Sequence, residues 1–192
     1  VTAATTDPFP ADVAHVAKRC IVDGLGVILA GSTTEGSRIL REYVREDAGV
    51  QESTAFGAGE LRTRAASAAL LNGASGHAMD FDDTQLSSSP DRLFGLLTHP
   101  TVPPLAAALA VGERLASTGV AVLEAFVAGF EVSCKIAEAI EPRHYIGGFH
   151  SSGTIGTFGA TVAAGKLLHL DRTALGHALG IAASMSSGIR VN

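Results

Sequence analysis

From Pro10 to Ala30 the apolar residues Val13, Val16, Ala17, Cys20, Ile21, Leu25, Ile28 and Leu29 fall three and four apart, which lines them along one stripe of a helix. Pro10 suits the first turn, where a missing N–H costs nothing, and Gly31 suits the stop. A second helix is predicted from about Glu35 to Ala48, with Ile39, Leu40, Tyr43 and Val44 inside and Gly49 ending it. The piece STAFG reads as a short strand or a connector. Arg64 to about Phe81 follows as a helix dominated by Ala, Ser and Gly. Asp82 to Thr98 is the longest stretch without a period; it contains the turn signal SSSPD, and loops of this length are usually functional or mobile. Helices resume at about Pro103 to Ser117 and Val120 to Ile140. After the irregular EPRHYIGGFHSSG come helices at about Thr154 to Leu168 and Arg172 to Ser186, the last capped by Asp171. Strand-like alternation is almost missing, so the expected class is all-α, a multi-helix bundle.

Composition sharpens this picture. The 192 residues are 46% apolar but only 5% aromatic, with no Trp and 22 Gly. Alanine and glycine thus carry much of the apolar content, and helices lined by them can pack closely. The formal charge of −5 argues against nucleic acid as a partner, since such proteins usually show basic patches. The longest apolar candidate, LAAALAVGERLAST, is broken by Glu113 and Arg114, short of the roughly 18 residues a membrane helix needs. Two cysteines, Cys20 and Cys134, exclude a disulfide framework and a four-cysteine cluster. With no signal-peptide pattern, the expected compartment is the cytoplasm. A chain starting at Val1 and stopping at SMSSGIRVN reads as a fragment, truncated at both ends, of a longer protein, with residues 1–192 forming one helical domain.

The densest chemistry is NGASGHAMDFDDTQ, residues 72–85. If the helix persists past Phe81, then His77, Asp80 and Thr84 share one face through offsets of three and four, while Asp82 and Asp83 point elsewhere. Carboxylates at a helix C-terminus are disfavoured by the dipole, so their presence invites a functional reason. A magnesium site that holds a diphosphate would need more oxygen ligands and more aromatic shelter than this chain offers; no metal is expected. Two further histidines sit in irregular segments, His99 in LLTHP and His150 in GGFHSSG. Histidine moves protons near neutral pH, and the glycines around His150 let a ligand approach the backbone. His15, His144, His169 and His177 are read as surface or structural. Lys166 is read as a stem lying on apolar surface with its head in water.

The ordered blocks NGxxxHxxDFDDT, HP, GFEV, GFHxxGTxGTFGA, AAxKLLxLD and HALGIAxSxxSG together resemble the MmgE/PrpD family, which includes 2-methylcitrate dehydratase, cis-aconitate decarboxylase and iminodisuccinate epimerase. The resemblance implies a large helical domain that carries most of the active site, with a smaller α+β lid domain absent from these residues. It implies catalytic roles for Asp80, His99 and His150 and substrate contacts from Thr84, His77 and Ser151, with His77 in support. It also implies a small di- or tricarboxylate substrate, no metal or organic cofactor, and a homodimer. The expected activity is a cofactor-independent lyase, a dehydratase of 2-methylcitrate-like acids. An epimerase, a decarboxylase and a non-catalytic helical binding domain are the alternatives. Residues 1–192 alone are expected to be inactive. Two departures bear on substrate: DFDD stands where methylcitrate dehydratases usually read DFND, and LSSSPDRLFGLL lengthens the path to the HP histidine.

Overall fold

The computed structural model describes residues 9–46, 49–57, 59, 61–87 and 98–190. Among these lie eight helices and one two-stranded sheet, an all-α architecture as the periodicity requires. Helix α1 (Ala11–Gly31) begins after Pro10 and ends at Gly31. A Cβ on Gly31 would sit 1.9 Å from the Ser75 carbonyl oxygen, so a side chain there would push two helices apart. Helix α2 (Glu35–Glu46) follows; the expected extension to Ala48 falls outside the described residues, and Gly49 has the positive φ of 49° that suits a stop. The STAFG piece is part strand. β1 (Ser53–Thr54) pairs antiparallel with β2 (Arg62–Thr63), Ser53 opposite Thr63. Beneath this hairpin the buried Arg41 donates to the Ala55, Phe56 and Gly59 carbonyls, which satisfies a guanidinium that burial would otherwise penalise.

Helix α3 (Ala65–His77) packs against α1 and α4 (Val102–Arg114), and α4 in turn against α5 (Gly119–Ile140). A short α6 (Arg143–Ile146) precedes α7 (Ser151–Leu167), which lies against α4, α5 and α8 (Arg172–Met185). Thr118 and Asp171 cap α5 and α8 through their side chains. The core gathers Ile28, Leu105, Phe126 and Leu167 with the alanines between them. Small residues set the helix spacing: a Cβ on Gly129 of α5 would stand 2.5 Å from the Gly159 carbonyl oxygen of α7. Lys166 corrects its sequence reading. Its side chain is only 10% exposed, and Nζ lies 3.4 Å from Glu124 Oε2 across the α5–α7 contact. No described helix is long and apolar enough to cross a membrane.

Candidate active site

Helix α3 stops earlier than periodicity predicts, at His77 instead of Phe81. The Asp80 N–H folds back onto the His77 carbonyl at 3.2 Å, and Asp80 adopts φ 56°, a left-handed conformation that aspartate tolerates better than most residues. The DFDD run therefore leaves the helix. The expected shared face of His77, Asp80 and Thr84 does not exist: Asp80 is 79% exposed at its side chain, and Thr84 is exposed on the segment beyond. Asp82, expected to point elsewhere, turns inward and is buried.

The broken helix lets residues five apart meet. Both carboxylate oxygens of Asp82 lie 3.0 Å from His77 Nδ1. His99 joins from across the long loop, its Nδ1 3.2 Å from the Asp82 carbonyl and 3.4 Å from Asp82 Oδ1. Its position is held by three stitches. Gln85 N donates to the Thr98 carbonyl at 2.9 Å, Asp83 accepts from Thr101 N and Oγ1 at the start of α4, and His99 N donates to Ser152 Oγ. The turn expected at SSSPD falls, beyond Ser87, on residues outside the described ones. His150 arrives as the N-cap of α7, its Nδ1 accepting from Gly153 N at 3.2 Å. Its own N–H is tied to the Gly188 carbonyl, and its Nε2 stands 3.4 Å from His77 Nε2. The His77 ring meets the rings of His99 and His150 edge-on at centroid distances of 4.7 and 5.2 Å.

Donor and acceptor chemistry orders these contacts. A carboxylate only accepts, so His77 carries its proton on Nδ1. Because a backbone N–H donates into His150 Nδ1, the neutral His150 carries its proton on Nε2 and gives it to His77 Nε2. His99 faces acceptors on both sides, the Asp82 carbonyl at Nδ1 and Asp80 Oδ1 at Nε2, 3.6 Å away. That arrangement favours an imidazolium. The titration directions agree. The Asp82 hydrogen bond holds the His99 pKa above the ordinary 6.5, against the opposing effect of burial. Burial, with His77 and His99 beside it, holds His150 below that value. Burial alone would raise the Asp82 carboxyl, but bonds from His77 and His99 hold it well below the usual carboxylate range.

His77, Asp82 and His150 form the polar end of a cavity of about 430 Å³ between α3, α4 and α7, whose walls include Gly73, Ala106 and Gly156. That size suits a small-molecule site. Ser151 does not reach it: the residue is buried and its hydroxyl donates to Glu141. The neighbouring Ser152 lines the cavity instead. Sequence reasoning turned Asp82 and Asp83 away from the site and took Asp82 only as a departure from DFND; the five-residue step from His77 across a helix end is the signal that would have brought Asp82 in. One ligand atom from each of His77, Asp80, Asp82 and His99 lies within 4.8 Å of the others, close enough for a divalent cation. A metal on His77 Nδ1 would leave a proton on Nε2, facing the Nε2 proton of His150 donor to donor.

The model of the MmgE/PrpD N-terminal domain matches residues 1–192. The chain is 33% identical over 180 residues to a cis-aconitate decarboxylase of Homo sapiens, covering 91% of this chain and 36% of the relative. A cis-aconitate decarboxylase of Mus musculus is 33% identical over 172 residues, covering 87% and 33%. One of Aspergillus terreus is 30% identical over 193 residues, covering 96% and 37%. The chain thus spans about a third of the length of the curated relatives it matches.

Proposed function

The chain belongs to the MmgE/PrpD family, and from that premise we propose that its histidine cluster is the acid–base centre of a lyase that decarboxylates a small unsaturated tricarboxylate of the cis-aconitate type. The observation that carries this reading is the convergence of His77 and His99 on one buried carboxylate, with His150 against His77, beside a cavity. The names of the relatives favour decarboxylation over the dehydration expected from the motifs, and DFDD in place of DFND agrees with that shift.

When carbon dioxide leaves such an acid, the electron pair of the broken C–C bond stays on carbon and spreads through the double bond toward a remaining carboxylate. A proton must then reach carbon, and the growing negative charge needs hydrogen-bond donors placed in advance. His99 is suited to give the proton from Nε2. Once neutral it keeps its Nδ1–H on the Asp82 carbonyl, so the ring holds its place. Asp80, exposed and 3.6 Å from that Nε2, is placed to return a proton from water. His150 suits the donor role: its Nε2–H lies at the cavity wall and transfers from His77 to a substrate carboxylate without a change of charge. Thr84, exposed and outside the cavity lining, keeps the substrate contact that the resemblance implies, and Asp80 serves to relay protons to His99.

Replacing His150 by Gln in the full-length protein should lower turnover of cis-aconitate by about 10²–10³-fold, the usual worth of one charge-stabilising donor. The melting temperature should barely move, since Gln still offers an acceptor near the start of α7. Wild-type-like turnover would reject the assignment. Proton NMR in deuterated buffer, run over a panel of di- and tricarboxylates, identifies the reaction: decarboxylation puts one deuteron on carbon with loss of mass as carbon dioxide, and simple exchange puts it there without loss.

A pH profile follows from the two shifted histidines. His99 works charged, so activity falls as pH rises through its raised value, above 6.5. His150 works neutral, so activity falls as pH drops through its lowered value, below 6.5. A bell in log(kcat/KM) with limbs on either side of 6.5 is expected; a flat profile from pH 5 to 8 would contradict the pairing.

A further inference from the structure

We propose that Asp82, which the motif marks only as a departure from DFND and helical spacing turns elsewhere, is the positioning residue of this site: it sets the tautomer of His77, so that His77 Nε2 accepts the His150 proton, while also anchoring His99. The inference rests on the reading of the cluster as an acid–base centre, but its first half concerns hydrogen-bond direction and can be measured without turnover.

Three hydrogen bonds form a chain in which all run the same way. Gly153 N–H donates into His150 Nδ1 at 3.2 Å, His150 Nε2–H into His77 Nε2 at 3.4 Å, and His77 Nδ1–H into the Asp82 carboxylate at 3.0 Å. One end is a backbone amide at the start of a 17-residue helix, which cannot become an acceptor. At the other end stands a carboxylate only 2% exposed at its side chain and held ionised by its neighbours, which cannot become a donor. Between two fixed ends each imidazole has one neutral tautomer that satisfies every contact. The Gly153 amide therefore fixes Nε2–H on His150, and Asp82 is the terminus that gives this proton an acceptor in His77 Nε2 at the cavity wall.

The same residue holds His99 twice, through its main-chain carbonyl at 3.2 Å and its Oδ1 at 3.4 Å. The charged and titratable groups around His99 are Asp80, Asp82 and His77 from the end of α3 and His150 from α7. Of these Asp82 contributes most to raising the His99 pKa, and Asp80 least. Asp80, the acid that the motif singles out, is exposed and touches one imidazole. Asp82 is buried and touches two. Geometry thus moves the orienting role two residues along the DFDD run.

The test compares Asp82→Asn and Asp80→Asn in the full-length protein. An asparagine at 82 keeps the shape but can turn an amide N–H₂ toward His77 Nδ1, which favours the opposite tautomer and sets two N–H donors face to face at His150. Nitrogen-15 NMR of the imidazoles should show His77 protonated on Nδ1 in the parent protein and in Asp80→Asn, and on Nε2 in Asp82→Asn. The His99 titration should fall clearly in Asp82→Asn and only slightly in Asp80→Asn, and the alkaline limb of kcat/KM should fall with it. Turnover should drop by about 10²-fold or more in Asp82→Asn, as wrong-tautomer variants of other histidine–carboxylate pairs do. An unchanged His77 tautomer and His99 titration in a folded Asp82→Asn protein would overturn the proposal. If Asp82→Asn does not fold, Asp82→Glu serves: it keeps the acceptor, so the parent tautomer must survive, and an inverted one overturns the inference equally. A parent protein inactive on every carboxylate, with tautomers as stated, would defeat the functional reading and leave the positioning role standing.

Discussion

His99→Gln is expected to remove about 10³–10⁴-fold of turnover, the upper range for loss of a general acid. It should also abolish the alkaline limb of the pH profile. Glutamine keeps a donor for the Asp82 carbonyl, 3.2 Å from His99 Nδ1, but it carries no transferable proton. The loss should therefore fall on kcat more than on KM, because one interaction to Asp82 survives while the chemical step does not. Folding should be spared: the stitches of this segment, Gln85 N to the Thr98 carbonyl and Thr101 N and Oγ1 to the Asp83 carboxylate, do not involve the ring. Residual turnover that still declines above pH 6.5 would assign the alkaline limb to another group and remove His99 from the donor role.

The second large effect is structural. Gly129→Ala should destabilise the fold by about 2–3 kcal/mol, as overpacking of a tight contact does. For a domain of this size that lowers the melting temperature by roughly 6–10 °C. The added Cβ would meet the Gly159 carbonyl oxygen at 2.5 Å, Pro104 Cβ at 2.8 Å and Ala163 Cβ at 3.1 Å. Two of these belong to α7 and one to α4, so neither helix can yield without moving the other. Because α7 carries His150 at its first turn, the shift should also reduce turnover. Gly26→Ala is the control of opposite sign. Its Cβ meets nothing within 4 Å, and replacing an exposed helical glycine by alanine stabilises by up to about 1 kcal/mol. Thermal melts of both variants decide the matter; equal melting temperatures would mean that α5 and α7 are not in contact at this crossing.

How far the site could be read from sequence divides along the same lines as these two effects. His99 and His150 stood out because they interrupt helical patterns, and a residue that breaks a pattern is visible without coordinates. Asp80 and Thr84 were grouped with His77 on the assumption that α3 continues, and that assumption failed at one residue. Asp80 takes the left-handed region, the helix ends, and every later side chain in DFDD changes direction. Ser151 and Ser152 show the same limit on a smaller scale. They are adjacent and chemically alike, yet one faces Glu141 and the other the cavity, a choice made by the phase of α7 around its N-cap.

The sequence by itself determined the helical class, the approximate span of each long helix, the close packing that its alanines and glycines permit, and the family to which the chain belongs. These follow from local spacing and residue size, which act over a few positions at a time. Tertiary structure alone decided that Asp82 and not Asp80 is the acid beneath the imidazoles, that His77 is the link between His99 and His150, and that Lys166 is paired. Each of those outcomes depends on which segments the folded chain brings within about 3 Å, the range over which a hydrogen bond has direction, and no pattern along one helix encodes that.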